Sequence, residues 1–313
     1  MSLEDIIADY ITQQRSLGKR YTSEANTLKA FGRSIGNLPV RDIDPEMISR
    51  FVDRGATSYE TRSKTYRALA GLFFFAVSRR LLKRSPMPRR RKRVYPTFVP
   101  YIYSEAELKR LLAAIPLATE GARLVIDADT LRTFLLLLYG AGLRRGEAMR
   151  LKIEDVDLEQ SLIHIRQTKF FKTRLVPLSD SLTAVMRAFI ARPGHPYSAG
   201  AESRLFSSRD GTPLCGQTLG VAFRRLCKIA DIRRDGGARN QPRMHDLRHS
   251  AAVHRVTAWY RRDADLNDLL PKLATYLGHT GLAGTQRYLT MTQELLAEAS
   301  SRFEAFSGGQ RHG

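Results

Sequence analysis

The sequence predicts a mainly α-helical protein with a small antiparallel β-sheet, an α+β chain in two domains. Three observations carry this. Residues up to about 85 show apolar residues at helical spacing and no strand pattern. The spacing switches to a period of two at Leu162–Arg166 and Thr173–Pro177. Between the helical opening and the rest lies a basic stretch broken by Pro86 and Pro88, the composition of a linker. The expected divisions are a helical domain over 1–85, a linker over 86–100 and a larger domain over 101–313, and 313 residues suit two domains.

Four helices are expected in the first domain. Ser2 followed by Asp5 marks a start, and Leu3, Ile6, Ile7, Tyr10 and Ile11 fall on one face. A second helix spans Ser23 to Ile35, with Leu28, Phe31 and Ile35 inward. Asp44-Pro45 reads as a cap followed by proline at the first helical position, and Met47, Ile48, Phe51 and Val52 form its apolar stripe. A long helix follows from Tyr59 to Leu82.

In the second domain Ser104-Glu-Ala-Glu107 is a capping box. An apolar helix over Thr130–Tyr139 stops at Gly140-Ala-Gly142, and Arg144 stands where the next helix begins. Glycines let a ligand come close there, and helical N–H groups favour an anion. Glu147 reads as a structural partner of a nearby basic group. The two strand-like runs frame a hairpin tip, Gln167–Lys172, carrying Lys169 and Lys172, and alternation puts His164 on a sheet face. Further helices are expected over Ser181–Ile190 and Thr218–Ala230, with a short strand at Leu205-Phe206 and a polar loop over Arg233–Arg243. Helices then carry His245 to Tyr288, and a last amphipathic helix, Gln293–Phe306, presents Leu295, Leu296, Phe303 and Phe306.

Charge narrows the partners. The chain holds 51 Lys and Arg against 31 Asp and Glu, a net +20, which speaks for nucleic acid first and an anionic membrane surface second. No apolar run is long enough to cross a bilayer. Residues 1–100 carry 20 basic and 9 acidic groups, and 101–313 carry 31 and 22, so both domains are cationic. That distribution suits a two-part clamp around duplex DNA. Nine of the fifteen residues 79–93 are basic and none is acidic, and Arg89, Arg90, Arg91, Lys92 and Arg93 are expected to touch the phosphate backbone. Cys215 and Cys227, twelve apart without a CxxC, read as ordinary buried thiols of a reduced, cytoplasmic protein.

Six polar positions then follow in order: Gly-Leu-Arg144-Arg-Gly-Glu147, Lys169 ahead of Arg174-Leu-Val-Pro-Leu178, His245-x-x-Arg248-His-Ser, Leu-Gly-His279 and Tyr288. This pattern closely resembles the tyrosine recombinase (phage integrase) family over residues 98–300, and the first domain is similar to that family's helical core-binding domain. The resemblance implies a site-specific recombinase that cleaves and rejoins DNA through a covalent 3′-phosphotyrosine. Arg144 and Arg248 would grip the scissile phosphate. Lys169 would protonate the leaving 5′ oxygen, His245 would accept or shuttle a proton, and His279 would hydrogen-bond the phosphate. Tyr288 would be the nucleophile. It also implies self-association into a tetrameric synapse, with the last helix docking on a neighbouring protomer. Two departures stand out: Gly146 replaces a common serine, and the span from Arg248 to His279 is about eight residues longer than in compact members. The segment Gln286–Thr292 is similar to transposon-borne recombinases that occur in sets of three, so sister recombinases are candidate partners.

The residue types fit the chemistry. A free tyrosine is ionised in only about one molecule in a thousand at pH 7. Its attack on phosphorus therefore needs a base or a strong positive field, which His245 and the two arginines can supply. Guanidinium forks match phosphoryl oxygens in pairs. No metal or nucleotide cofactor is expected, because the sequence has neither metal-ligand spacing nor a GxxxxGK[ST] loop. Two other readings share these residues: a type IB topoisomerase, which would relax supercoiled plasmid lacking any element site, and a catalytically silent DNA-binding relative.

Overall fold

In the computed structural model the described residues are 2–36, 38–54, 59–89, 99–121, 125–166, 173–193, 200, 202–237 and 240–278. Arg90, Arg91, Lys92, Arg93, Lys169, His279, Tyr288 and the expected last helix lie outside them. The chain divides into two compact units, Met1–Thr97 and Phe98–Gly313.

In the first unit, helices α1 (Leu3–Ser16), α2 (Thr22–Ile35), α3 (Pro45–Arg54) and α4 (Tyr59–Ser78) surround one core. The Ser2–Asp5 box closes at 2.9 and 3.1 Å in its two directions, satisfying N–H groups that the first turn leaves open. Ile6, Leu28, Phe31, Ile48, Leu69, Leu72 and Phe73 are fully buried together. Helix α3 starts at Pro45 as expected, with Met47 N–H donating to the Asp44 carboxylate at 2.8 Å. Of its expected stripe only Ile48 is fully buried; Phe51 meets Phe31 edge-on at 5.1 Å while Met47 and Val52 stay half-buried. Helix α4 ends at Ser78, four residues before the expected Leu82. Arg80 turns left-handed at φ 59°, and Leu81 N–H reaches back to Ala76 O at 2.9 Å, a Schellman closure. Leu81, Leu82 and Met87 then fold back on the core, and Tyr66 OH donates to Pro88 O at 2.7 Å.

The second unit is mostly helical around a three-stranded antiparallel sheet. Its helices are α5 (Glu105–Ala113), α6 (Ile115–Thr119), α7 (Ala128–Gly140), α8 (Arg145–Ala148), α9 (Asp180–Ala191), α10 (Gly216–Ile229), α11 (Asp246–Arg261) and α12 (Leu266–Leu277). The Ser104–Glu107 box forms, and Asp127 caps α7 through Thr130 N–H at 2.8 Å, which starts that helix two residues earlier than its apolar run. Strands β1 (Val156–Asp157), β2 (Leu162–Ile165) and β3 (Arg174–Pro177) pair in that order, with Ile163 facing Val176 and Ile165 facing Arg174. Ile163 and Ile165 are buried while Leu162 and His164 are half-buried, the alternation read from the sequence.

Two further expectations are corrected. Leu205-Phe206 forms no strand; both residues are buried in succession, so the segment does not alternate, and Phe206 packs edge-on to Phe134 at 5.2 Å. Cys215 is exposed, because it stands at the start of α10 where its sulfur accepts from Thr218 N–H at 3.3 Å. Cys227 is buried as expected. Helix α11 runs to Arg261, where Trp259 and Tyr260 pack on a small cluster of Val253, Val256, Leu270, Leu273 and Leu277. Among the described residues no helix is long and apolar enough to cross a membrane.

Candidate active site

The site is built where α7 gives way to α8. Gly142 holds φ at +59°, and a Cβ on it would come within 2.8 Å of Leu277 Cδ2, so this turn admits glycine and little else. Two residues later Arg144 takes the N-cap position of α8. One turn on, Glu147 lies under it with 5% of its surface exposed. A Cβ in place of the Gly146 hydrogen would meet Arg150 Nη1 at 3.3 Å, so a serine there needs that side-chain end to give by a few tenths of an ångström.

Glu147 serves three guanidinium groups from three elements. Arg144 donates Nη1 to Oε1 at 2.7 Å and its own backbone N–H to Oε2 at 2.9 Å. Arg174 on β3 makes a two-pronged pair, Nη1 to Oε1 at 3.0 Å and Nη2 to Oε2 at 2.8 Å. Arg248 on α11 has Nη1 4.0 Å from Oε2. Burial alone would raise the Glu147 pKa. The Arg174 fork and then the Arg144 donors outweigh it and hold the carboxyl down at about 2. Glu147 is thus the structural partner of basic groups that its spacing suggested.

The opposite wall is the end of α12. Gly278 closes the helix in the left-handed region at φ 66° and ψ 42°. The three carbonyls leading into this cap each accept from a different arginine. Tyr276 O takes Arg174 Nε at 3.0 Å, Leu277 O takes Arg248 Nη2, and Gly278 O takes Arg144 Nη2 at 2.6 Å. Arg248 Nη1 also donates to Gly142 O. The carbonyl end of a helix is its negative pole, so cations are well placed there. Exposure separates the two candidate phosphate grips: Arg144 leaves 36% of its side chain in water, Arg248 only 2%.

His245 directly precedes α11, three residues before Arg248. Its place is fixed from below. Asp246 is fully buried and takes Arg243 Nη2 at 2.8 Å, while Ser250 Oγ donates to Asp246 O and accepts Tyr103 N–H, both at 2.9 Å. The imidazole is itself exposed and meets the His249 ring edge-on at 5.0 Å. Desolvation by the protein packed around its base lowers its pKa, and the Arg248, Arg243 and Arg144 guanidiniums lower it further. Both effects favour the neutral imidazole.

The structure thus brings Arg144, His245 and Arg248 to one place. Lys169, His279 and Tyr288 are outside the described residues, but the chain leads directly to two of them: Gly278 precedes His279, and β3 begins five residues after Lys169. Sequence reasoning assigned no role to Arg174 or to the α12 carbonyls. In the structure Arg174 opens β3 opposite the buried Ile165.

Residues 103–294 match the model of the Phage integrase family. Two proteins of Sinorhizobium fredii, the integrase/recombinases y4rE and y4rB, are 32% and 34% identical over 308 and 307 residues, covering 96% and 95% of this chain and 95% and 96% of theirs. The tyrosine recombinase XerA of Thermococcus kodakarensis is 31% identical over 66% of this chain and 64% of its own. Among solved structures, the Tn1549 transposon integrase in complex with circular intermediate DNA aligns with a TM-score of 0.67 at 20% identity, over 97% of this chain and 99% of that one. A lambda integrase dimer bound to a core site gives 0.64 at 19%, over 90% and 96%. At such identities these two show the likeness of fold. The family match over more than half of the chain, and relatives above 30% identity along nearly all of it, mean that the chain belongs to the phage integrase family and is a tyrosine site-specific recombinase.

Proposed function

We propose that this recombinase cleaves duplex DNA at Tyr288 and rejoins it through a 3′-phosphotyrosine, with Arg144, Lys169, His245, Arg248 and His279 as the other catalytic groups. The observation that carries the reading is the convergence of Arg144 and Arg248, from two separate helices, on one carboxylate with His245 beside them. The Tyr288 phenol oxygen bonds to phosphorus and passes its proton to His245. The bond from phosphorus to the 5′ oxygen breaks, and that oxygen takes a proton from Lys169. Arg144, Arg248 and His279 carry the charge on the non-bridging oxygens. Attack by the 5′ hydroxyl of the partner strand reverses these transfers and frees Tyr288. Incubation with element-end DNA, followed by a denaturing gel, should show a protein–DNA adduct. Nicking without a covalent link would overturn the mechanism.

The partner is double-stranded DNA, and the working assembly is a tetramer on two paired sites in the cytoplasm, with the last helix passed between neighbours. The relatives solved with DNA and as a dimer on a core site support the first of these. The basic stretch Arg89–Arg93, of which Arg89 is exposed, lies along the phosphates. If about eight phosphates are neutralised, log K should fall with log salt at a slope near about −7. Neutralising Arg89, Arg90, Arg91, Lys92 and Arg93 together should flatten the slope in a titration of binding against salt. An unchanged slope would remove this stretch from the interface.

A further inference from the structure

We propose that Arg174 is a positioning residue for strand cleavage, acting through Glu147 on Arg144 and through the end of α12 on the turn that leads to His279. The inference rests on the catalytic reading above.

Every side-chain nitrogen of Arg174 is committed, and to two different bodies. Nη1 and Nη2 hold both oxygens of Glu147, and Nε holds Tyr276 O at 3.0 Å. The side chain is 11% exposed, so these are nearly water-free, charge-assisted bonds in a fixed plane. A carboxylate with one cationic partner can swing about its last torsion. Glu147 cannot, because the Arg174 fork fixes the plane in which its oxygens meet Arg144. Arg174 also shares the negative charge. Without it, Glu147 would keep Arg144 as its one hydrogen-bonded guanidinium, with Arg248 Nη1 4.0 Å away, drawing Arg144 toward the protein and away from a phosphate.

The second contact concerns the cap. A Cβ on Gly278 would lie 2.7 Å from Arg174 Nη1 and 2.9 Å from its Cζ. The backbone of the cap therefore rests directly on the guanidinium plane, and the next residue in the chain is His279. Arg174 sits in turn on β3, whose register against β2 is set by four residue pairs, and Lys169 lies five residues before it in the sequence. One planar side chain thereby ties the sheet, the carboxylate under Arg144 and the turn before His279. A lysine in its place has the charge but no fork, and so could hold one of these bodies at a time.

A purely structural ion pair would also be buried here, so the test needs a readout that stability does not move. Adduct formation is measured at saturating suicide substrate for Arg174→Lys, with DNA half-saturation and thermal midpoint alongside. The expected result is half-saturation within about twofold of the parent and cleavage slower by about tenfold, below the roughly 10²- to 10³-fold loss of a donor that itself faces the developing charge. The same change placed in an Arg144→Ala background should cost clearly less than it does alone, because only the route through the α12 cap is then left and residues acting in one network are not additive. Equal losses in both backgrounds would mean that Arg174 does not act through Arg144. Unchanged cleavage with a lowered midpoint, or failure of Arg174→Lys to fold, would make it structural only. Tyr288→Phe run in parallel keeps the two readings apart, since an adduct there would overturn the nucleophile assignment whatever Arg174 does.

Discussion

Tyr288→Phe should abolish the covalent protein–DNA adduct and leave folding and DNA binding intact. The change removes one oxygen and keeps the ring, so a tyrosine that serves packing would lose little but its hydroxyl partner. A nucleophile loses the atom that bonds to phosphorus, and with it the covalent link. The assignment rests on its place nine residues after His279 in the sequence. Denaturing gels for the adduct, filter binding for affinity and a thermal melt for the fold decide the matter together. A surviving adduct, or a chain that melts early and binds no DNA, would each count against the assignment.

Arg248→Ala and Arg144→Ala should each slow cleavage by about 10²- to 10³-fold, the usual loss for a donor aimed at developing charge. The two should differ in stability. Arg248 is 2% exposed and donates to Gly142 O and Leu277 O, so truncation strands two acceptors inside the protein at about 1–3 kcal/mol each. Arg144 is more open to water, and its loss still leaves Glu147 paired to Arg174. Arg248→Ala should therefore melt at a clearly lower temperature and Arg144→Ala close to the parent. Lysine at either position should restore little cleavage, because the fork is gone. Rates on a pre-bound suicide substrate and parallel melts test this. Full activity in the lysine variants would rule out fork-like grip of a phosphate.

Much of this fold was legible because its determinants are local. The Ser2–Asp5 and Ser104–Glu107 boxes and the Asp44-Pro45 start each close within three residues, and the structure places helices there. Glu147 could be read as a partner of basic groups because Arg144 stands three residues away. The end of α4 could not be read, since its left-handed residue is Arg80 rather than glycine. Nor could β1, two residues long and too short to alternate. Arg174 escaped notice for a different reason: its partners lie 27 and 102 residues along the chain, at Glu147 and Tyr276, and no spacing rule links them.

Those separations have a bearing on the order in which the protein is made. Arg144 meets Gly278 O across 134 residues, and Arg248 meets Gly142 O across 106. Contacts of this kind form late, since long stretches of chain must be ordered before any of them is rewarded. Domains fold progressively as the ribosome delivers them, amino end first. A nascent chain that has reached β3 already carries most of the cationic residues that attract DNA, yet it holds none of the α12 carbonyls against which the arginines are set. Attraction to the polyanion therefore matures during synthesis well before the ability to break it. A product released before α12 would carry most of the chain's positive charge without the carbonyls that set its arginines.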